Sequence, residues 1–281
     1  METGGLIGIF LGLGSATFYG ISDFLGGLAS RRTRTVSVLV TSGIIGVATY
    51  LGLALLTGDR LPSAGVVVMS VVAGLLSVAV GNVFYHALAH GRMSIVAPVA
   101  SVVTTSFPVV FSLVQEGLPE FLTLIGFGLA LVSVFLVSSS ERIGRVEWRA
   151  LALPTLAGVL AGFMFILIGT TTTESTYFPL FIMRTTSLLG NLVIAWRTGA
   201  PVIVPRAQFP LALMTGLTSA AATICFVLAA QVGRLDVASV LSALAPAVTV
   251  VMAAFLASER VYRVQIIGIV LGTGAIILIS L

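Results

Sequence analysis

Ten apolar runs, each about twenty residues long and separated by short polar breaks, account for almost the whole sequence. They are Leu6–Leu28, Val36–Thr57, Gly65–Ala89, Ser94–Val114, Phe121–Ser139, Ala150–Thr173, Phe178–Trp196, Phe209–Val232, Val237–Ala257 and Val264–Leu281. A helix needs about 20 apolar residues to cross ~30 Å of hydrocarbon, so each run is long enough to span a bilayer. The runs are apolar on every face, whereas barrel strands alternate polar and apolar over about ten residues. Helices also satisfy their own backbone hydrogen bonds in lipid, which open strands cannot do. The expectation is an all-α membrane protein with ten transmembrane helices.

Composition excludes the alternatives. Only 9% of the 281 residues are charged and 58% are hydrophobic, against about 25% charged in a soluble domain. A water-soluble enzyme, a nucleic-acid binder and a disordered chain are all ruled out. The 14 basic residues are all arginine and lie singly or in small groups between the apolar runs, the pattern of loop anchors at a membrane surface. The first residues lack the basic stretch of a signal peptide, so the first run is expected to stay as a spanning helix. A single cysteine, Cys225, excludes an intrachain disulfide.

The sequence repeats itself at an offset of 142. Gly74, Leu75, Ser77, Ala79, Phe84, Ala87, Gly91 and Arg92 recur as Gly216, Leu217, Ser219, Ala221, Phe226, Ala229, Gly233 and Arg234. Further on, Glu116 and Gly126 correspond to Glu259 and Gly268 with a one-residue slip. The expected units are residues 1–145 and 146–281, with five helices each. Five is odd, so the second unit enters the membrane inverted relative to the first. Inverted repeats are a transporter architecture, with the solute near the midplane between the halves.

One stretch of the second half carries a family pattern. Pro246 stands in a small-residue helix, Glu259 and Arg260 form an acidic–basic turn, and Gln265, Gly268, Gly272 and Gly274 mark the last run. This resembles an EamA repeat of the drug/metabolite transporter superfamily. The first half has a looser copy in Pro98, Pro108, Glu116, Pro119 and Gly126, without the basic residue after Glu116 and without the glutamine. The resemblance implies a central cavity lined mainly by helices 1, 3, 4, 6, 8 and 9, no cofactor, and a multi-pass protein of the plasma (inner) membrane that exports a small metabolite or drug.

Polar residues inside the runs are the candidates for solute contact, because ionisable groups in a membrane are costly and face the bundle interior. Ser15, Tyr19, Ser22, Asp23 and Gly26 form one stripe on the first helix. Asp23 could meet a cationic group or carry a proton; it could equally pair with Arg31, Arg32 or Arg34. On the third helix, Asn82 and His86 share a face beside Tyr85. The eighth helix answers with Ser219, Thr223 and Phe226. The expected substrate-binding set is Tyr19, Asp23, Asn82, Tyr85, His86, Thr223 and Phe226. Ser101, Thr104, Thr105, Ser239 and Ser242 are further polar positions on helices 4 and 9. Pro98, Pro108 and Pro246 can interrupt their helices. Arg184, inside the seventh run, reads as structural rather than substrate-binding.

No metal-ligand cluster or catalytic motif is present in the sequence: His86 and His90 lack a carboxylate partner for a metal. The expected partners are a small-molecule solute and the lipid bilayer, with no nucleic acid. Glycines on the tenth helix leave a homodimer open. Two other functions remain beside the transporter, a lipid flippase or intramembrane lipid-handling protein, and a channel. Orientation has two readings. Eleven arginines fall in the odd-to-even loops, which puts those loops in the cytoplasm and both termini outside. The resemblance implies cytoplasmic termini.

Overall fold

The structure is a computed structural model that describes residues 3–91, 93–137, 148–173, 175–256 and 263–280. Arg92, Glu141, Arg142, Arg145, Glu174, Glu259, Arg260 and the proposed boundary between the two units lie outside those residues. So do the side chains of Pro98 and Gln265.

Eleven α-helices run through the described residues: α1 Thr3–Arg32, α2 Thr35–Thr57, α3 Ala64–His90, α4 Met93–Glu116, α5 Phe121–Val137, α6 Trp148–Thr171, α7 Tyr177–Thr198, α8 Phe209–Val232, α9 Leu235–Ser242, α10 Ala245–Leu256 and α11 Arg263–Ser280. No strand occurs among the described residues. Seven helices (α1–α4 and α6–α8) are long and apolar enough to cross a membrane. Large apolar side chains cover the outside. Leu56 is 85% exposed and Val114 80%, as suits a surface facing acyl chains rather than water.

The ninth apolar run is not one helix. It breaks at Ala243 and Leu244 into α9 and α10. The physical cause is Pro246, which has no N–H for the carbonyl four residues earlier. The interruption leaves the Ala243 carbonyl free of the ladder, and Ser101 Oγ of α4 donates to it at 2.9 Å. Pro108 and Pro154, by contrast, sit within α4 and α6 without ending either helix.

The two halves repeat their local stops. α2 ends at Gly58 (φ 63°) and α7 at Gly199 (φ 60°), 141 positions apart, each in the left-handed region that glycine tolerates. In both, the next residue's N–H reaches back five residues: Asp59 to Ala54 O and Ala200 to Ala195 O, each at 2.9 Å. α3 and α8 end at Gly91 and Gly233, whose N–H groups return to Ala87 O and Ala229 O.

The packing is mirrored as well. α3 lies against α6 and α7, while α8 lies against α1 and α2. Gly74 of α3 lets the Met183 carbonyl and Thr186 of α7 approach within 2.6 Å of where a Cβ would stand. Gly216 of α8 does the same for Ser42 and Ile45 of α2, at 2.8–2.9 Å. α2 and α7 run antiparallel: Arg34 bonds to the Thr198 carbonyl at one end, Gly43 faces Leu188 midway, and Asp59 takes the Tyr177 N–H at the other. α5 and α11 are also antiparallel, joined by Ser133 Oγ to Gly268 O at 2.7 Å with Gly274 beside Leu129.

Candidate functional site

The interior holds a cavity of about 170 Å³. α1, α3 and α4 line it from the first half; α6, α8, α9, α10 and the Ala243 turn line it from the second. Those are the helices the sequence resemblance implied. α6 contributes Ala157 and Ala161, one turn apart, and these small side chains leave space where α4 passes. The walls are apolar and aromatic, with Phe84, Met164, Phe165 and Phe226. Phe165 stands edge-on to both neighbours, its centroid 5.8 Å from Tyr19 and 4.7 Å from Phe226. Edge-to-face rings hold one another's orientation, so this corner is a fixed aromatic wall.

Polar groups are few and mostly engaged. Tyr19 OH and Thr223 Oγ1 share a hydrogen bond of 2.9 Å, joining α1 to α8. Thr223 also donates to Ser219 O. Ser242 Oγ donates to Ser15 Oγ at 2.9 Å, and Ser239 to Leu235 O. Asp23 lines the cavity. Among the described residues its carboxylate has no hydrogen-bond donor and no ion pair. Arg31, Arg32 and Arg34 are exposed, and Arg34 points instead to the Thr198 carbonyl.

The expected site residues divide in two. Tyr19, Asp23 and Phe226 line the cavity, and Thr223 holds Tyr19. Asn82, Tyr85 and His86 are not among its lining residues. Asn82 instead ties α3 to α7: its Nδ2 donates to Val78 O and to Asn191 Oδ1, both at 2.8 Å. Tyr85 is buried against Gly26, its ring 2.6–2.8 Å from where a Cβ would stand. His86 is exposed and lies over His90, with ring centroids 4.2 Å apart. Arg184 is held in the bundle away from the cavity lining. Its Nη2 donates to Ser219 Oγ (3.2 Å) and Ser42 O (3.5 Å), and its Nε, packed on Gly46, has no acceptor among the described residues.

Two polar clusters fasten loops outside the spans. Asp59, after α2, takes the N–H groups of Thr176, Tyr177 and Phe178 and the Ser175 hydroxyl, so it caps the start of α7 from more than a hundred residues away. Burial pushes its carboxyl up, but the N–H groups of Phe178 and Tyr177, the Ser175 hydroxyl and the Thr176 N–H outweigh that. The net position is below the usual carboxylate range. Arg234 forks onto the fully buried Asp236 at 2.9 Å, reaches the Gly117 carbonyl, and lies 3.6 Å from Glu116. The Asp236 hydrogen bond chiefly raises the guanidinium pKa. His/Cys/Asp/Glu groupings able to hold a metal are absent among the described residues.

Sequence reasoning missed Phe84, Met164, Phe165 and the two alanines of α6. The i, i+4 pair of small residues was the only available signal, and it marks close packing as often as a cavity.

Apolar helices of membrane-spanning length packed around a cavity define a multi-pass integral membrane protein. Residues 143–281 match the model of the EamA-like transporter family. That stretch, just under half of the chain, is similar to EamA-type membrane transporters of the drug/metabolite transporter superfamily, as the sequence resemblance implied. A solved crystal structure, titled only as that of a protein, superposes with a TM-score of 0.71 at 17% identity, covering 94% of this chain and 96% of that one. At that identity the likeness shows a shared fold alone. No curated protein matches the chain.

Proposed function

We propose that the chain is a ten-span plasma-membrane transporter that moves a small metabolite or drug outward by alternating access. In this reading α9 and α10 form one broken span, and residues 1–145 and 146–281 are two inverted five-helix repeats. Three observations support the inversion. The helix stops recur at the repeat offset. The paired helices α2 and α7 are antiparallel, as are α5 and α11. Two hydrogen bonds, Ser101 to Ala243 and Arg184 to Ser42, join positions 142 apart. A two-fold axis brings equivalent positions into contact with one another in this way.

The observation that carries the function is the cavity, drawn from three helices of one half and their counterparts in the other. Rocking one half against the other would open such a site to each side in turn. Tyr19, Asp23 and Phe226 contact the solute, Thr223 positions Tyr19, and Asn82 and Tyr85 hold the walls from behind. His86 lies apart from the pathway. The chemistry is transport without a cofactor and without catalysis. The test is reconstitution into liposomes with a broad panel of small solutes, with and without a pH gradient. Saturable flux of at least one solute supports the reading; no flux of any, or flux that never saturates, removes it.

A further inference from the structure

Among the described residues the cavity wall carries one ionisable group, the carboxyl of Asp23. Asp23 reaches an otherwise apolar and aromatic space, and among the described residues nothing donates to it or pairs with it. An ionised carboxylate in this condition in a membrane interior is strongly unfavourable unless it takes a proton or a cationic partner arrives. Arg184, a cation held inside the bundle, is not among the lining residues of the cavity. Its Nη2 is committed to Ser42 O and Ser219 Oγ. The aromatic corner of Tyr19, Phe165 and Phe226 presents ring faces and edges within the same space. Ring faces attract cations, most strongly where water is excluded.

Building on the transporter reading, we infer that the cavity is selective for a small organic cation, an ammonium group carried on a compact apolar body, with Asp23 as its counter-charge. The volume limits the body. An engineered apolar cavity of ~150 Å³ accommodates benzene, so about 170 Å³ accommodates one ring or a branched alkyl group of that size. Zwitterions and anions are disfavoured. Among the described residues a solute carboxylate would have no cationic partner on the cavity wall, and it would lie beside Asp23.

The discriminating experiment uses the full chain in lipid nanodiscs and four probes of one shape: benzylammonium, benzyl alcohol, benzoate and phenylglycine. Titration calorimetry should show benzylammonium binding at least ten-fold tighter than the other three. Asp23→Asn should weaken benzylammonium by at least about 30-fold, the loss expected when one member of a buried charge pair is removed. Benzyl alcohol should change less than three-fold, which also shows that the variant is folded. Equal or tighter binding of the neutral, anionic or zwitterionic probe by the unmodified protein overturns the inference, as does an Asp23→Asn variant that binds benzylammonium normally. Liposome flux separates this from the broader reading. Saturable transport of a neutral or anionic solute without any ammonium binding leaves the transporter standing and removes cation selectivity. Ammonium binding without flux of any solute does the reverse.

Discussion

The mirrored packing makes a quantitative prediction for two glycines on different helices. A Cβ added to Gly74 would stand 2.6 Å from the Met183 carbonyl oxygen and 2.6 Å from Thr186 Cβ; one added to Gly216 would stand 2.8 Å from Ile45 Cβ and 2.9 Å from the Ser42 carbonyl. At each site one of these contacts is a backbone carbonyl oxygen, which cannot rotate away as the end of a flexible side chain can. α3 must therefore separate from α7, and α8 from α2. Overpacking of this kind costs about 1–3 kcal/mol, and backbone neighbours place both sites in the upper part of that range. Gly128 of α5 has nothing within 4 Å, so alanine there should be nearly neutral. Gly74→Ala, Gly216→Ala, the double variant and Gly128→Ala would be unfolded by SDS titration in mixed micelles and followed by circular dichroism. The two single variants should lose similar amounts, and the double variant should lose their total to within about 0.5 kcal/mol, because the sites share no partner. If both variants matched Gly128→Ala, the close approach of these helices would be wrong. If only one were destabilised, the equivalence of the two contacts would fail.

Other predictions follow from individual contacts. Asp59→Asn should cost about 1 kcal/mol, within the range for loss of a helix cap. The folded carboxyl sits below its unfolded value, so its contribution is full above about pH 4 and disappears as pH falls through the folded pKa. The gap between Asp59→Asn and the parent in the SDS titration should therefore close on acidification, and a constant gap would contradict the capping role. Arg234→Ala should cost about 3 kcal/mol by leaving the buried Asp236 unpaired, whereas Glu116→Gln, at a 40% exposed partner, should cost under about 1 kcal/mol. Equal losses in the same titration would contradict that ranking. Asn82→Ala removes one interhelical hydrogen bond, worth roughly 0.6 kcal/mol in a bilayer, and should leave solute affinity within three-fold by calorimetry. A ten-fold loss of affinity with stability intact would return Asn82 to the binding site.

Much of the architecture was legible because lipid simplifies the rules. A run of twenty apolar residues has few alternatives to a helix, and the Gly-Arg turns at Gly91 and Gly233 were visible through the repeat. Pro246 marked the interruption of the ninth run through its missing N–H. Asp23 stood out because charge is rare in these spans. The details that depend on which helices meet were not legible. Asn82 looked like a solute contact because its partner, Asn191, lies 109 residues away, on a helix whose adjacency no local pattern specifies. The capping role of Asp59 was not legible either, since its donors at residues 175–178 are equally remote. Phe165 and Met164 are ordinary apolar residues in an apolar helix, and only the space beside Ala157 and Ala161 distinguishes them as cavity walls.

Filling the cavity tests the central claim most directly. Ala161 faces the space and is 8% exposed, so Ala161→Trp would place an indole where the solute is held to bind. Uptake into proteoliposomes should be saturable for at least one solute with the parent protein and absent with Ala161→Trp at an unchanged SDS-unfolding midpoint. Flux that persists undiminished through the filled cavity, or a parent protein that moves nothing, would contradict the account.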